Sequence, residues 1–152
     1  MSRSSLAAAL VAVAISLDAG AQSPKPEAHE TNVGGLTVEV AEVVRKEGVL
    51  TVKLRFRNTN TKAVSFYVVP DGNWNTYYVL AGKSKLMVLK DSKDVPLMPP
   101  LGTGSFLSRS LEPGASYLFW AKFPAPPADV KKVELHTPLS APIEDVVIAE
   151  AK

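Results

Sequence analysis

The chain has 152 residues, a formal net charge of +2 and no cysteine. So small an excess of positive charge gives no basis for nucleic-acid binding or for an anionic membrane surface. The missing cysteine excludes disulfides, thiolate metal sites and lipid attachment at a mature N-terminal Cys, so apolar packing alone must hold the fold.

Arg3 precedes an uncharged, Ala/Val-rich run over residues 6–17, and Asp18 and a small-x-small site at Ala19-Gly20-Ala21 follow. This is the pattern of a secretory signal peptide over 1–21, and its apolar run is too short to span a bilayer as a helix. No later segment is apolar for long enough, so no stable membrane insertion is expected after cleavage. The mature protein is expected in the periplasm or outside the cell, and the Ala-rich signal before a cysteine-free domain reads as bacterial. Residues 22–32 hold two prolines and small polar side chains and read as a flexible leader. Residues 33–149 read as one domain of adequate size for a core.

Nearly every apolar stretch in the domain has strand character. Leu36, Val38 and Val40 alternate with Thr37 and Glu39; Leu50, Val52, Leu54 and Phe56 alternate with Thr51, Lys53, Arg55 and Arg57. The second run has one apolar and one basic face. Lys46-Glu47-Gly48 reads as a three-residue hairpin loop with Gly at its left-handed last position. That loop sets Val49 opposite Arg45, Val40 opposite Leu54 and Glu39 opposite Arg55. Further strands are expected over 63–69, 75–80, 85–90, 105–111, 117–123, 132–136 and 143–148, with a short extended piece at 95–97. Asn58-Thr59-Asn60-Thr61-Lys62, Pro70-Asp71-Gly72-Asn73, Gly82-Lys83-Ser84, Asp91-Ser92-Lys93-Asp94 and Glu112-Pro113-Gly114 supply the turns. The 117–123 run is apolar on both faces, which predicts a central strand. About eight or nine short strands and no helix predict an all-β fold, a two-sheet antiparallel β-sandwich of immunoglobulin-like type.

Three blocks carry a likeness: Leu36-Thr37-Val38-Glu39-Val40, the VKLRFRNTNTKAVSF block at 52–66, and the LEPGASYLFWAKFPAPPADVKKVELH block at 111–136. With these, the chain resembles the telokin-like, immunoglobulin-fold domains of exported bacterial proteins. In that group a strand ends in an Asn-Thr turn, and a Leu-x-Pro-Gly-x-Ser turn leads into an aromatic strand before the last hairpin. The resemblance implies an accessory or binding module without shared catalytic residues.

The residues themselves speak against catalysis. Gly82-Lys83-Ser84 and Gly114-Ala115-Ser116 begin a G-x-S-x-G pattern, but Leu86 and Leu118 stand at its last position. His29 and His136 are the two histidines, and a Ser-His-acid site would have to use His136. Met87, Met98 and His136 lack the spacing of a copper site. Asp71-x-Asn73-x-Asn75 starts like a calcium loop, then has Thr76 where Gly is required and Gly82 where the bidentate Glu belongs. No cofactor and no metal are expected.

Two groups suit binding. Trp74, Tyr77 and Tyr78 stand beside Asp71 and Asn73, and such aromatics dominate recognition hot spots. Alternation places the two tyrosines on opposite faces, so one is buried, and Trp74 is expected to be partly exposed. The second group is the basic row Lys53, Arg55 and Arg57, suited to an anionic partner or simply to a solvated sheet face. The resulting expectation is an exported non-catalytic binding protein that engages another envelope or extracellular protein. Carbohydrate binding by Trp74 and the nearby tyrosines is the alternative.

Overall fold

The computed structural model describes residues 26–101 and 106–151. The expected signal peptide, the start of the leader and residues 102–105, with the first residue of the strand expected over 105–111, lie outside the described residues. Eleven strands are present among those described: β1 Ala28–Glu30, β2 Leu36–Lys46, β3 Val49–Asn58, β4 Val64–Val69, β5 Tyr78–Ala81, β6 Ser84–Met87, β7 Leu107–Leu111, β8 Ser116–Pro124, β9 Lys132–His136, β10 Ile143–Val147 and β11 Ala149–Glu150. Among the described residues the only helical pieces are two single 3-10 turns, Pro70–Gly72 and Trp74–Thr76.

The strands form an all-β, sandwich-like fold. One sheet runs β1-β2-β3-β8, with β11 added parallel to β2; a second runs β10-β9-β5-β6; β4 and β7 make a two-stranded ribbon. A two-stranded ribbon is marginal alone, and this one is held by its inner face. Val64, Phe66, Val68, Val69, Leu107 and Leu111 join the same buried cluster as Phe56 of β3, Phe119 of β8 and Leu135 of β9.

The β2–β3 hairpin departs from its expected turn. The turn has two residues, Glu47 and Gly48, both left-handed at φ 49° and 79°, so Val49 opposes Lys46 and not Arg45. A two-residue turn with both centres left-handed matches the twist of its flanking strands. Val40↔Leu54 and Glu39↔Arg55 are nonetheless paired as expected, because a bulge at Ala41 supplies the missing residue. The bulge also exchanges the two faces of β2. Leu36, Val38 and Val40 face inward before it, and Val43 and Arg45 after it.

That exchange buries Arg45, which is 8 % exposed. Its guanidinium donates to the carbonyls of Pro126, Pro127 and Val130 at 2.8, 2.6 and 3.1 Å, and to the Glu150 carboxylate at 2.5 Å. The cation thus ties the turn end of the hairpin to the proline-rich crossing and to β11.

Asn58, fully buried, closes the opposite end. Its amide donates to the carbonyls of Lys62 and Leu111, each at 2.8 Å, and its oxygen accepts the Asn60 N–H. The Asn-Thr turn and the Leu-x-Pro-Gly turn therefore meet at one side chain.

Other expectations shift. The sheet reaches into the segment read as leader: β1 pairs with β2, and Thr31 bridges Ser140. Residues 75–77 belong to a 3-10 turn and its cap, so β5 starts at Tyr78. The 95–97 piece forms only an isolated bridge, Lys90↔Pro96. Most consequentially, the strand expected to be central, now β8, is last in its sheet.

Candidate functional site

The loop that carries Trp74 is built by Asp71 and Gly72, successive left-handed residues at φ 53° and 64°, which wind the chain into the two 3-10 turns. Asp71 and Asn73 are exposed. The Asn73 carbonyl is occupied within the loop, accepting from the Thr76 hydroxyl at 2.7 Å and the Thr76 N–H at 3.2 Å. Trp74 is half-buried against the core and lines a groove of about 270 Å³ with Val95, Pro96, Pro99, Pro100 and Leu101. The Lys90 ammonium lies 5.8 Å from its ring centre. The indole Nε1 is buried and has no hydrogen-bond partner among the described residues. The ring is therefore largely engaged by the chain's own proline-rich segment, as a cap on one end of the sandwich would be.

Tyr77 is not a surface residue. It is 2 % exposed, its ring stacks on Phe119 at 4.4 Å, and its hydroxyl donates to the Val68 carbonyl at 2.6 Å. Val68 is the bulged residue of β4, the extra position between the Tyr67↔Ser108 and Val69↔Leu107 pairs. The bulge frees a buried carbonyl from the ladder, and the Tyr77 hydroxyl satisfies it. Burial, with Tyr117 as a lesser cause, holds the Tyr77 phenol well above its usual range.

Tyr78 points out of the other face, as alternation predicts, but both of its ring faces are covered. His136 stacks on it at 4.2 Å with 12° between planes, and the Lys85 ammonium lies 3.9 Å from its centre. His136 is also hydrogen-bonded to Glu134. Its partners are thus a tyrosine ring and a carboxylate on its own strand, the surroundings of a packed sheet-face residue.

The basic row is where alternation puts it, on the outer face of β3. Lys53 pairs with Glu42, and Arg55 Nη1 donates to Glu39 at 2.8 Å. Such exposed cross-strand pairs contribute little each but cancel the local charge. Arg57 is exposed and has no ion pair among the described residues.

The β4–β7 ribbon brings together a surface that sequence reasoning missed. Tyr67 and Phe106 are 57 % and 42 % exposed, and their rings meet at 5.7 Å, tilted by 56°. Ser65, Ser108 and Ser110 line a shallow hollow of about 310 Å³ with Tyr67, and Arg109 borders it. The Ser65 hydroxyl donates to that of Ser110 at 3.1 Å across the pair. Arg109 lies 4.7 Å from the Tyr117 ring centre and donates to the Ser108 carbonyl at 2.7 Å. Half-burial raises the Tyr117 pKa, and Arg109 opposes that shift. The signal was present: Tyr67 shares strand parity with Ser65, the wrong side for a core aromatic.

Comparison with protein families, with curated proteins and with solved structures returns no match.

Proposed function

We propose that this chain is an exported, immunoglobulin-like β-sandwich that acts by binding another envelope or extracellular protein and performs no catalysis. One observation carries the reading: Tyr67 and Phe106 hold two aromatic rings together in solvent on a ribbon anchored in the core. Rigid aromatic area beside an arginine and small hydroxyls is the composition of an interface hot spot. An isolated exposed aromatic needs no explanation, whereas a contacting pair concentrates apolar area in one place. The carbohydrate alternative is weakened at the rings first considered for it. Tyr77 is buried, Tyr78 is covered on both faces, and Trp74 packs against its own prolines.

The test is in-cell crosslinking of the tagged mature protein beside a Tyr67→Ser/Phe106→Ser variant of unchanged fold. The expected result is one protein captured by the original and lost by the variant. Equal capture by both would reject this surface. Binding to a glycan array that disappears in the variant would replace a protein partner by a sugar.

A further inference from the structure

β8 has the sequence of a covered strand in the position of an uncovered one. Tyr117, Phe119, Ala121 and Phe123 point inward, while Leu118 and Trp120 lie on the outer face with Ser116 and Lys122. Leu118 is 46 % exposed. The Lys122 N–H donates to the Leu97 carbonyl at 3.0 Å, and the Lys122 carbonyl accepts the Leu89 N–H at 2.8 Å. Lys122 therefore turns its backbone groups away from β3. By the alternation of an antiparallel pair, Ser116, Leu118 and Trp120 turn theirs the same way. Among the described residues no backbone partner meets Leu118 or Trp120 there.

The other edges carry devices against pairing: β6 is four residues long and carries Lys85, and β4 is interrupted by its bulge at Val68. β10 is broken by a bulge and by Asp145 at φ 55°. β1 and β11 have three and two residues, and β7 is polar along Ser108-Arg109-Ser110. The 116–120 run has no proline, no bulge and no charge of its own. Its surroundings are cationic at both ends. Arg57 lies opposite Ser116, and Lys122 stands six residues further along, about 20 Å for an extended chain. Neither has an ion pair among the described residues, in contrast to Lys53 and Arg55 between them.

We propose that the β8 edge receives an extended segment of a partner protein as an added strand, with apolar residues beside Leu118 and Trp120 and a carboxylate at each end, the end nearer the Lys122 ammonium leaving the edge where Leu89 and Leu97 already hold the Lys122 backbone. Main-chain hydrogen bonds to Leu118 and Trp120 supply attachment, and the outer-face apolar strip with Arg57 and Lys122 supplies selectivity. This site is separate from the Tyr67–Phe106 surface, and neither depends on the other.

The probe is the synthetic peptide Asp-Thr-Val-Thr-Val-Thr-Asp, blocked at both ends, beside its counterpart with Lys at both ends. Titrations are followed by tryptophan fluorescence and by amide hydrogen exchange. The acidic peptide is expected to bind at least ten-fold more tightly and to slow exchange at Leu118 and Trp120. Leu118→Pro removes an edge-facing N–H without touching the bonds from Tyr117 and Phe119 to β3, and is expected to abolish binding. Should that variant fold poorly, Arg57→Glu/Lys122→Glu replaces it and is expected to reverse the preference toward the Lys-ended peptide. Equal binding of both peptides, or no protection at Leu118 and Trp120, overturns the proposal. So does protection of those amides that rises with protein concentration alone, which assigns the edge to a second copy of the chain.

Discussion

Tyr77→Phe removes one oxygen and leaves the ring stacked on Phe119. The Val68 carbonyl, in a residue with no exposed surface, then loses its donor at 2.6 Å. A net hydrogen bond is worth about 1 kcal/mol, and a buried acceptor left unpaired costs roughly 1–3 kcal/mol, so the expected loss is about 2 kcal/mol at neutral pH. At about 4 °C per kcal/mol for a domain of this size, Tm falls by roughly 8 °C. Urea denaturation followed by circular dichroism, run from neutral to strongly alkaline pH, is the assay. The alkaline limb separates this account from a packing effect. Burial raises the Tyr77 pKa above its unfolded value of about 10. The stability tied to the neutral phenol is thus complete below about pH 10 and is lost as pH rises further. The Phe variant cannot ionise, so its stability declines less steeply there and the two curves converge. Some decline persists through Tyr117, whose pKa burial also raises. A variant as stable as the original at neutral pH, or two curves that stay parallel above pH 10, would refute the reasoning.

Deleting Ala41 removes the β2 bulge and leaves every other β2–β3 pair in place, so the variant is expected to fold with a Tm within a few degrees of the original; deleting Lys53 exchanges the faces of half of β3 and is expected to abolish the cooperative transition. Asn58→Leu leaves the Lys62 and Leu111 carbonyls without their donor and is expected to cost about 3 kcal/mol in urea denaturation. Its hydrogen bond from Arg45 lowers the Glu150 pKa, so the stability from this pair is present above the carboxylate's unfolded pKa and lost as pH falls through the lowered value. Glu150→Gln is therefore expected to be less stable than the original at neutral pH and to lose that difference in acid, read from paired denaturation curves.

The β3 strand was legible because its alternation runs unbroken from Leu50 to Arg57, although its last residue, Asn58, was read as part of the following turn. β2 was legible only to Val40, since a bulge leaves no mark in composition and shifts the parity of everything beyond it. Arg45 consequently gave no sign that it would be buried, and its partners lie 81 to 105 residues away. A two-residue and a three-residue turn both accept Gly48, so the far-end pairs were anticipated from a loop one residue too long. For the candidate surfaces, alternation separated Tyr77 from Tyr78 but said nothing of the His136 ring and the Lys85 ammonium that cover Tyr78. The edge position of β8 was hidden because a strand apolar on both faces reads as central, and only the sheet order exposes the mismatch.

The Arg45 cluster also sets an order of events. A chain delivered N-terminus first presents Arg45 long before the carbonyls at 126–130, and Glu150 last of all. Until then the turn end of the hairpin holds a cation with no counterpart, whose burial is unfavourable. The β2–β3 pair can zip from its turn, but closure of the core over Arg45 must wait for β11. Folding is thus coupled to delivery of residues 126–150, and a chain halted before residue 150 would remain open at this one corner while the Asn58 end is already tied.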